Sequence, residues 1–110
     1  MQITTRQLGE ATIIDVTGDI DLASSPQMRV VLLRELKANR VPRLALNLKA
    51  VKYMDSSGVA SLVEGLKLSR QIGNRLILYG LAPALRDVLR LSHLLKMFEV
   101  YDSEEEALAL

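Results

Sequence analysis

Arg43-Leu44-Ala45-Leu46-Asn47-Leu48-Lys49, followed four residues later by Met54-Asp55-Ser56-Ser57-Gly58, is the stretch that decides the fold. In an extended strand Leu44, Leu46 and Leu48 fall on one face, and Ala45 and Asn47 on the other. A strand held between two helical layers reads as continuously apolar, whereas an alternating one has a single dry face. The alternation therefore predicts a sheet with its helices packed mainly on one side. Beyond the turn, Val59, Leu62, Val63 and Leu66 recur at helical spacing, with Ser61, Glu64 and Lys67 off that stripe. The segment thus passes from strand through turn to helix.

The neighbouring segments extend this pattern in both directions. Upstream, Ala11 to Thr17 predicts a strand, with Thr12, Ile14 and Val16 on one side and Ile13, Asp15 and Thr17 on the other. Gly18 ends it, and Asp19-Ile20-Asp21 follows as a loop or extension. Ser24-Ser25-Pro26 is a helix start, with a hydroxyl at the cap and proline in the first turn. Met28, Val31, Leu32 and Leu36 continue that helix, and Pro42 stops it. Downstream, Gly73-Asn74 closes the second helix. Leu76 to Tyr79 is a short buried strand, and Pro83 opens a helix with Leu85, Val88 and Leu89 inward. Met97 to Val100 reads as a last strand, and Ser103-Glu104-Glu105-Glu106 as a capping-box start to a short terminal helix. Strands and helices alternate, which predicts one α/β domain over residues 1–110 with largely parallel pairing after the first strand.

Composition narrows the function. The 110 residues are 49% hydrophobic but only 4% aromatic, so the core is aliphatic, and the net charge is +1. Nucleic-acid binding wants clustered Lys and Arg, and a near-neutral chain with basic and acidic residues interspersed gives no such footprint, so no direct nucleic-acid partner is expected, although a small basic patch is compatible with it. There is no cysteine, which removes disulfides and thiolate metal sites and suits a reducing compartment. Met1 to Arg6 leads into no apolar signal core, and no run approaches the roughly 18 apolar residues of a membrane span. A cytoplasmic location without membrane insertion is the expectation. The single histidine, His93, lies in Leu91-Ser92-His93-Leu94-Leu95 and reads as structural or surface. The six glycines form neither a phosphate-cradling loop nor a dinucleotide fingerprint. No catalytic residue, metal or cofactor is expected, and the chain does not read as an enzyme. Arg29, Arg34, Arg40 and Arg43 read as a solvated face, and Glu104 to Glu106 as first-turn helix acids. Nothing suggests an obligate interface, so the expected state is a monomer.

The chemistry that is left lies in Asp55-Ser56-Ser57-Gly58. A helix cap accounts for it by itself: Asp or Ser accepts bonds from the first helical amides, and glycine permits a tight turn. Two features point beyond a cap. Tyr53 and Met54 bring apolar side chains directly to the turn. The following helix has no first-turn acid, which predicts free amide ends able to receive an anion. A phosphate on Ser56 would carry roughly −1.5 to −2 charges. The helix N-terminus would favour it, while Asp55 and a docked partner would repel it.

At these residues the sequence resembles the STAS family, the sulphate transporter and anti-sigma factor antagonist domains. The resemblance runs through Val16-Thr17-Gly18-Asp19-Ile20-Asp21, Leu46-Asn47-Leu48, Tyr53-Met54-Asp55-Ser56-Ser57-Gly58-Val59 and Leu81-Ala82-Pro83-Ala84-Leu85. It is strongest for the stand-alone bacterial anti-sigma factor antagonists. It implies the STAS fold: a mixed, largely parallel sheet with helices mainly on one face. It also implies a switch. The dephosphorylated antagonist binds an anti-sigma factor, often a GHKL-type serine kinase, and so releases the sigma factor. Phosphorylation ends the complex and a serine phosphatase resets it. Carried over, Ser56 is the phosphate acceptor, and Asp21, Met54, Asp55, Ser57 and Gly58 contribute to partner binding; Asp19 and Asp21 read equally well as solvated loop acids that end the strand. Val59 and Leu62 read as core by their helical stripe, a stripe that could also border that surface. Two other roles stay open: a STAS subunit of a lipid-transport ABC system docking on a permease, and a scaffold in a stress-signalling complex.

Overall fold

The alternating strand occupies the middle of the sheet. The computed structural model describes residues 1–109, and its elements follow in order β1 (Gln2–Leu8), β2 (Ala11–Thr17), α1 (Ser25–Ala38), β3 (Arg43–Ala50), α2 (Ser56–Ile72), β4 (Arg75–Tyr79), α3 (Pro83–Leu91), β5 (Glu99–Tyr101) and α4 (Glu104–Leu108). The five strands lie in chain order, β1-β2-β3-β4-β5. β1 and β2 form an antiparallel hairpin, and β2 to β5 pair in parallel.

Register turns the sequence alternation into two cores. Ile14, Leu46 and Leu78 stand opposite one another across three strands. This row joins Met28, Leu32 and Leu36 of α1, Leu62 and Leu66 of α2, and Leu85 and Leu89 of α3 in one cluster. Gly65 lets the first two helices meet closely, since a Cβ there would lie 2.6 Å from Leu32 Cδ2. The opposite row is Ile13, Ala45 and Ile77, which with Tyr79 packs against Ala107 of α4. Helices therefore lie mainly on one face, and the terminal helix covers part of the other.

Polar side chains tie that second face together. Arg6 of β1 donates to Asp15 of β2 at 2.7 and 3.1 Å, and also to Glu104 of α4. The Tyr79 hydroxyl donates to Glu104 at 2.7 Å, and Asn47 donates to Asp15 at 2.8 Å. The Arg6 guanidinium and its partners hold both carboxyls below their ordinary range. Burial, reinforced by Glu104, pushes the Tyr79 phenol up.

Three features depart from the sequence reading. The strand Ala11–Thr17 is second rather than first. β1 escapes a periodicity argument because it is an edge strand in which only Ile3 is even half-buried, so no apolar repeat marks it. At the start of α1 the Ser24 hydroxyl does not cap the helix: it accepts from the Asp21 N–H at 2.9 Å and donates to the Asp19 carbonyl at 2.8 Å. Finally, Leu95–Met97 is a 3₁₀ turn and β5 begins only at Glu99.

Candidate functional site at the Asp55 turn

The loops that leave β2 and β3 are joined edge to edge. Gly18 donates to the Ala50 carbonyl at 3.1 Å, Ile20 to the Tyr53 carbonyl at 3.0 Å, and Asp55 to the Ile20 carbonyl at 3.0 Å. Ile20 and Met54 thus form an isolated parallel bridge, which extends the sheet by one rung. Both side chains point inward: Ile20 is fully buried and Met54 is 3% exposed.

On this platform Asp55 caps α2. One carboxylate oxygen accepts from the Ser57 N–H at 2.9 Å, the Gly58 N–H at 3.4 Å and the Ser57 hydroxyl at 2.5 Å. The other accepts from the Leu22 N–H at 3.1 Å, across the two loops. The Asp55 carbonyl takes the Val59 N–H at 3.2 Å. These donors favour the charged form, so the Asp55 carboxyl lies below its ordinary range, with the Ser57 hydroxyl as the largest cause. The expectation of free helix amides is therefore corrected. The first turn holds no acid, but the cap residue itself already occupies the amides an anion would want.

The two serines differ sharply. Ser56 is the first residue of α2 and is exposed, and no hydrogen bond among the described residues engages its hydroxyl. Ser57 is half-buried and its hydroxyl is held by Asp55.

Other expected site residues divide between surface and support. Asp21 is half-buried and turned into its own loop, where its carboxylate accepts from the Ala23 and Ser24 N–H groups at 3.0 Å each. It shapes the loop whose next residue, Leu22, reaches Asp55. Met54 cannot present itself to a partner from its buried position; it supports the turn from beneath. Gly58 is buried too, and a Cβ there would lie 2.5 Å from Met54 Cγ and 2.7 Å from Ile20 Cγ2. Its role is close packing rather than contact with a partner. Val59 and Leu62 are core residues at 8% and 0% exposure, as their helical stripe predicts, rather than borders of the surface.

Two surface residues went unassigned. Leu22 is 78% exposed and Tyr53 is 52% exposed, and both belong to the loops that hold Asp55. Tyr53 was visible as an apolar residue leading into the turn. Leu22 had no periodic signal, because it lies in an irregular loop. His93 is exposed just after α3, in the left-handed region at φ 59°. Among the described residues no His, Cys, Asp and Glu side chains gather into a metal-holding group, and no helix is long and apolar enough to cross a membrane.

Comparison with known proteins gives concordant matches. The STAS domain family model matches residues 2–107. The chain is similar to the anti-sigma-B factor antagonist of Listeria monocytogenes serovar 1/2a, with 32% identity over 94 residues, 84% of this chain and 81% of that protein. It is also similar to the anti-sigma F factor antagonist of Paenibacillus polymyxa, with 28% identity over 96 residues, 87% of this chain and 82% of the relative. Its fold resembles the Bacillus cell fate determinant SpoIIAA in the phosphorylated form, with a TM-score of 0.74 at 24% identity, covering 96% of each chain.

Proposed function

Because the chain belongs to the STAS domain family, we propose that it is an anti-sigma factor antagonist switched by phosphorylation of Ser56. It acts as a single domain over residues 1–110, in the cytoplasm, by binding rather than catalysis. Its partner is an anti-sigma factor with GHKL-type serine kinase activity, and a serine phosphatase restores the binding form. The observation that carries the choice of residue is the contrast between the two serines: Ser56 offers an exposed, unengaged hydroxyl, while that of Ser57 is held at 2.5 Å by Asp55. Two relatives named as antagonists supply the class of partner.

The cap sets the direction of the switch. Asp55 already occupies the Ser57 and Gly58 amides, so a phosphate on Ser56 must stay outside them or displace the carboxylate. It would sit beside exposed apolar side chains, Leu22 and Tyr53. A partner packed on those side chains would have to bury a dianion next to Asp55, which costs several kcal/mol where no cation compensates. The fold itself loses no internal bond.

The test is incubation with the partner kinase and ATP, followed by mass spectrometry and a binding assay. One phosphate, on Ser56, is expected, and none in Ser56→Ala. Ser56→Asp should weaken kinase binding about tenfold or more, the scale of about 1.4 kcal/mol, with melting unchanged. An active kinase that leaves Ser56 unmodified would overturn the assignment. A Ser56→Asp protein that unfolds would show that the turn is only structural.

A further inference from the structure

A second surface lies along the outer side of α1 and α2, away from the acceptor turn. Two adjoining recesses of about 380 and 340 Å³ share Arg29, Leu33 and Lys37. Leu33 and Leu68, both half-buried, give the groove apolar material at its floor. The rim is cationic: Arg29, Arg34, Lys37 and Lys67 line it, against one carboxylate, Glu64. That carboxylate is already bound by both sides of the Arg29 fork, at 2.5 and 2.7 Å. Arg34 pairs with a second carboxylate outside the recesses, Glu35, at 3.4 Å, so the excess positive charge of the rim is that of Lys37 and Lys67, both exposed. From Arg29 to Lys37 the groove runs about 12 Å, a little over two helical turns.

We propose that this groove docks an acidic amphipathic helix of a partner protein. The cationic rim selects a segment with Asp and Glu on its polar side, and excess charge of one sign raises encounter rates with the opposite sign. The recessed floor selects a helix that lays apolar residues, spaced i, i+3 or i+4 and i+7, into a groove. A membrane fits less well. Binding to anionic lipid needs several apolar side chains that protrude beyond the basic ones, and here Val30 alone of the apolar lining is exposed while Leu33 and Leu68 are half-buried. The groove begins about 12 Å along α2 from Ser56, so its occupancy does not require the phosphate acceptor.

The experiment is selection of a phage-displayed helical peptide library on the full-length protein, with counter-selection on Lys37→Glu/Lys67→Glu. Both lysines are exposed, so this variant should stay folded, with melting lowered only slightly by loss of the cation in the last turn of α1. Enriched peptides are expected to carry several acids and an i, i+3/i+4, i+7 apolar stripe. One such peptide, added to ¹⁵N-labelled protein, should shift the amides around Leu33, Lys37, Lys67 and Leu68. Its affinity should fall tenfold or more in the charge-reversed variant and weaken with salt, while Ser56→Asp leaves it unchanged. Enrichment of non-acidic peptides, shifts elsewhere, or indifference to the charge reversal would overturn the proposal. So would flotation of the protein with phosphatidylglycerol vesicles, lost in the same variant, without peptide enrichment; that result would assign the face to a membrane.

Discussion

Replacing Asp55 by Ala removes at once the acceptor of the Ser57, Gly58 and Leu22 amides and of the Ser57 hydroxyl. If that bond is what keeps Ser57 from the kinase, Asp55→Ala should show phosphate at Ser57 as well as Ser56 in a mass-spectrometric digest. Phosphate confined to Ser56 would mean that sequence adjacency, not the hydrogen bond, sets the position. The lowered carboxyl of Asp55 makes it a weak base, so its bond to Ser57 holds the hydroxyl more than it activates it. At this scale the sequence shows a cap and a hydroxyl-rich turn. It does not show which hydroxyl is engaged, because the distinction lies in 2.5 Å of side-chain geometry. Nor does it separate Met54 and Gly58, which are buried, from Tyr53, which is not. Tyr53 and Met54 are adjacent, and the bridge between Ile20 and Met54 turns Met54 inward, where Gly58 packs on it.

Among the elements, β1 and α4 are joined to each other by charge. They are far apart in sequence, yet Arg6 joins Asp15 and Glu104 and so fastens the edge hairpin to the terminal helix. Asp15 and Glu104 both titrate below their ordinary values of 3.8 and 4.5. Depressed carboxyls stabilise the fold above their unfolded values, and the contribution is lost as pH falls through the folded ones. Urea unfolding should therefore show wild type losing stability below about pH 4.5, with Arg6→Gln showing a shallower loss. At neutral pH Arg6→Gln should cost no more than about 1 kcal/mol, since the guanidinium is partly exposed and solvent screens the pair. A slope that is the same in both proteins would remove the cluster from the acid response. Ser103 and the glutamates after it revealed α4 from sequence as a capped helix, and its cap is made as expected, by the Ser103 hydroxyl accepting from the Glu106 N–H. β1 had no such marker, because its partner supplies the hydrogen bonds and its side chains mostly face water.

For the molecule as a whole, the decisive pattern was the leucine alternation of β3. Leu46 is fully buried at the centre of the row shared with Ile14 and Leu78. Leu46→Ala should cost about 2–5 kcal/mol in chemical denaturation; a loss under 1 kcal/mol would mean that the core is not centred there. The alternation was legible because one face meets three helices and the other meets only a short one. It understated that second face, where Ala45 is as buried as its leucine neighbours although a small residue gives little signal.

The chain-order sheet has one more consequence. Open α/β sheets make crevices for small ligands where the strand order reverses and neighbouring loops diverge to opposite sides. Here the order never reverses. The loops after β2 and β3 leave toward the same side and close on each other through backbone bonds, so no cleft opens between them. What this end of the molecule offers is relief rather than a hollow: a raised edge carrying Leu22, Tyr53 and Ser56. Such an edge is suited to being enclosed by another protein's pocket, so that under the proposed switch Ser56 would enter the partner's interior rather than receive a ligand in its own.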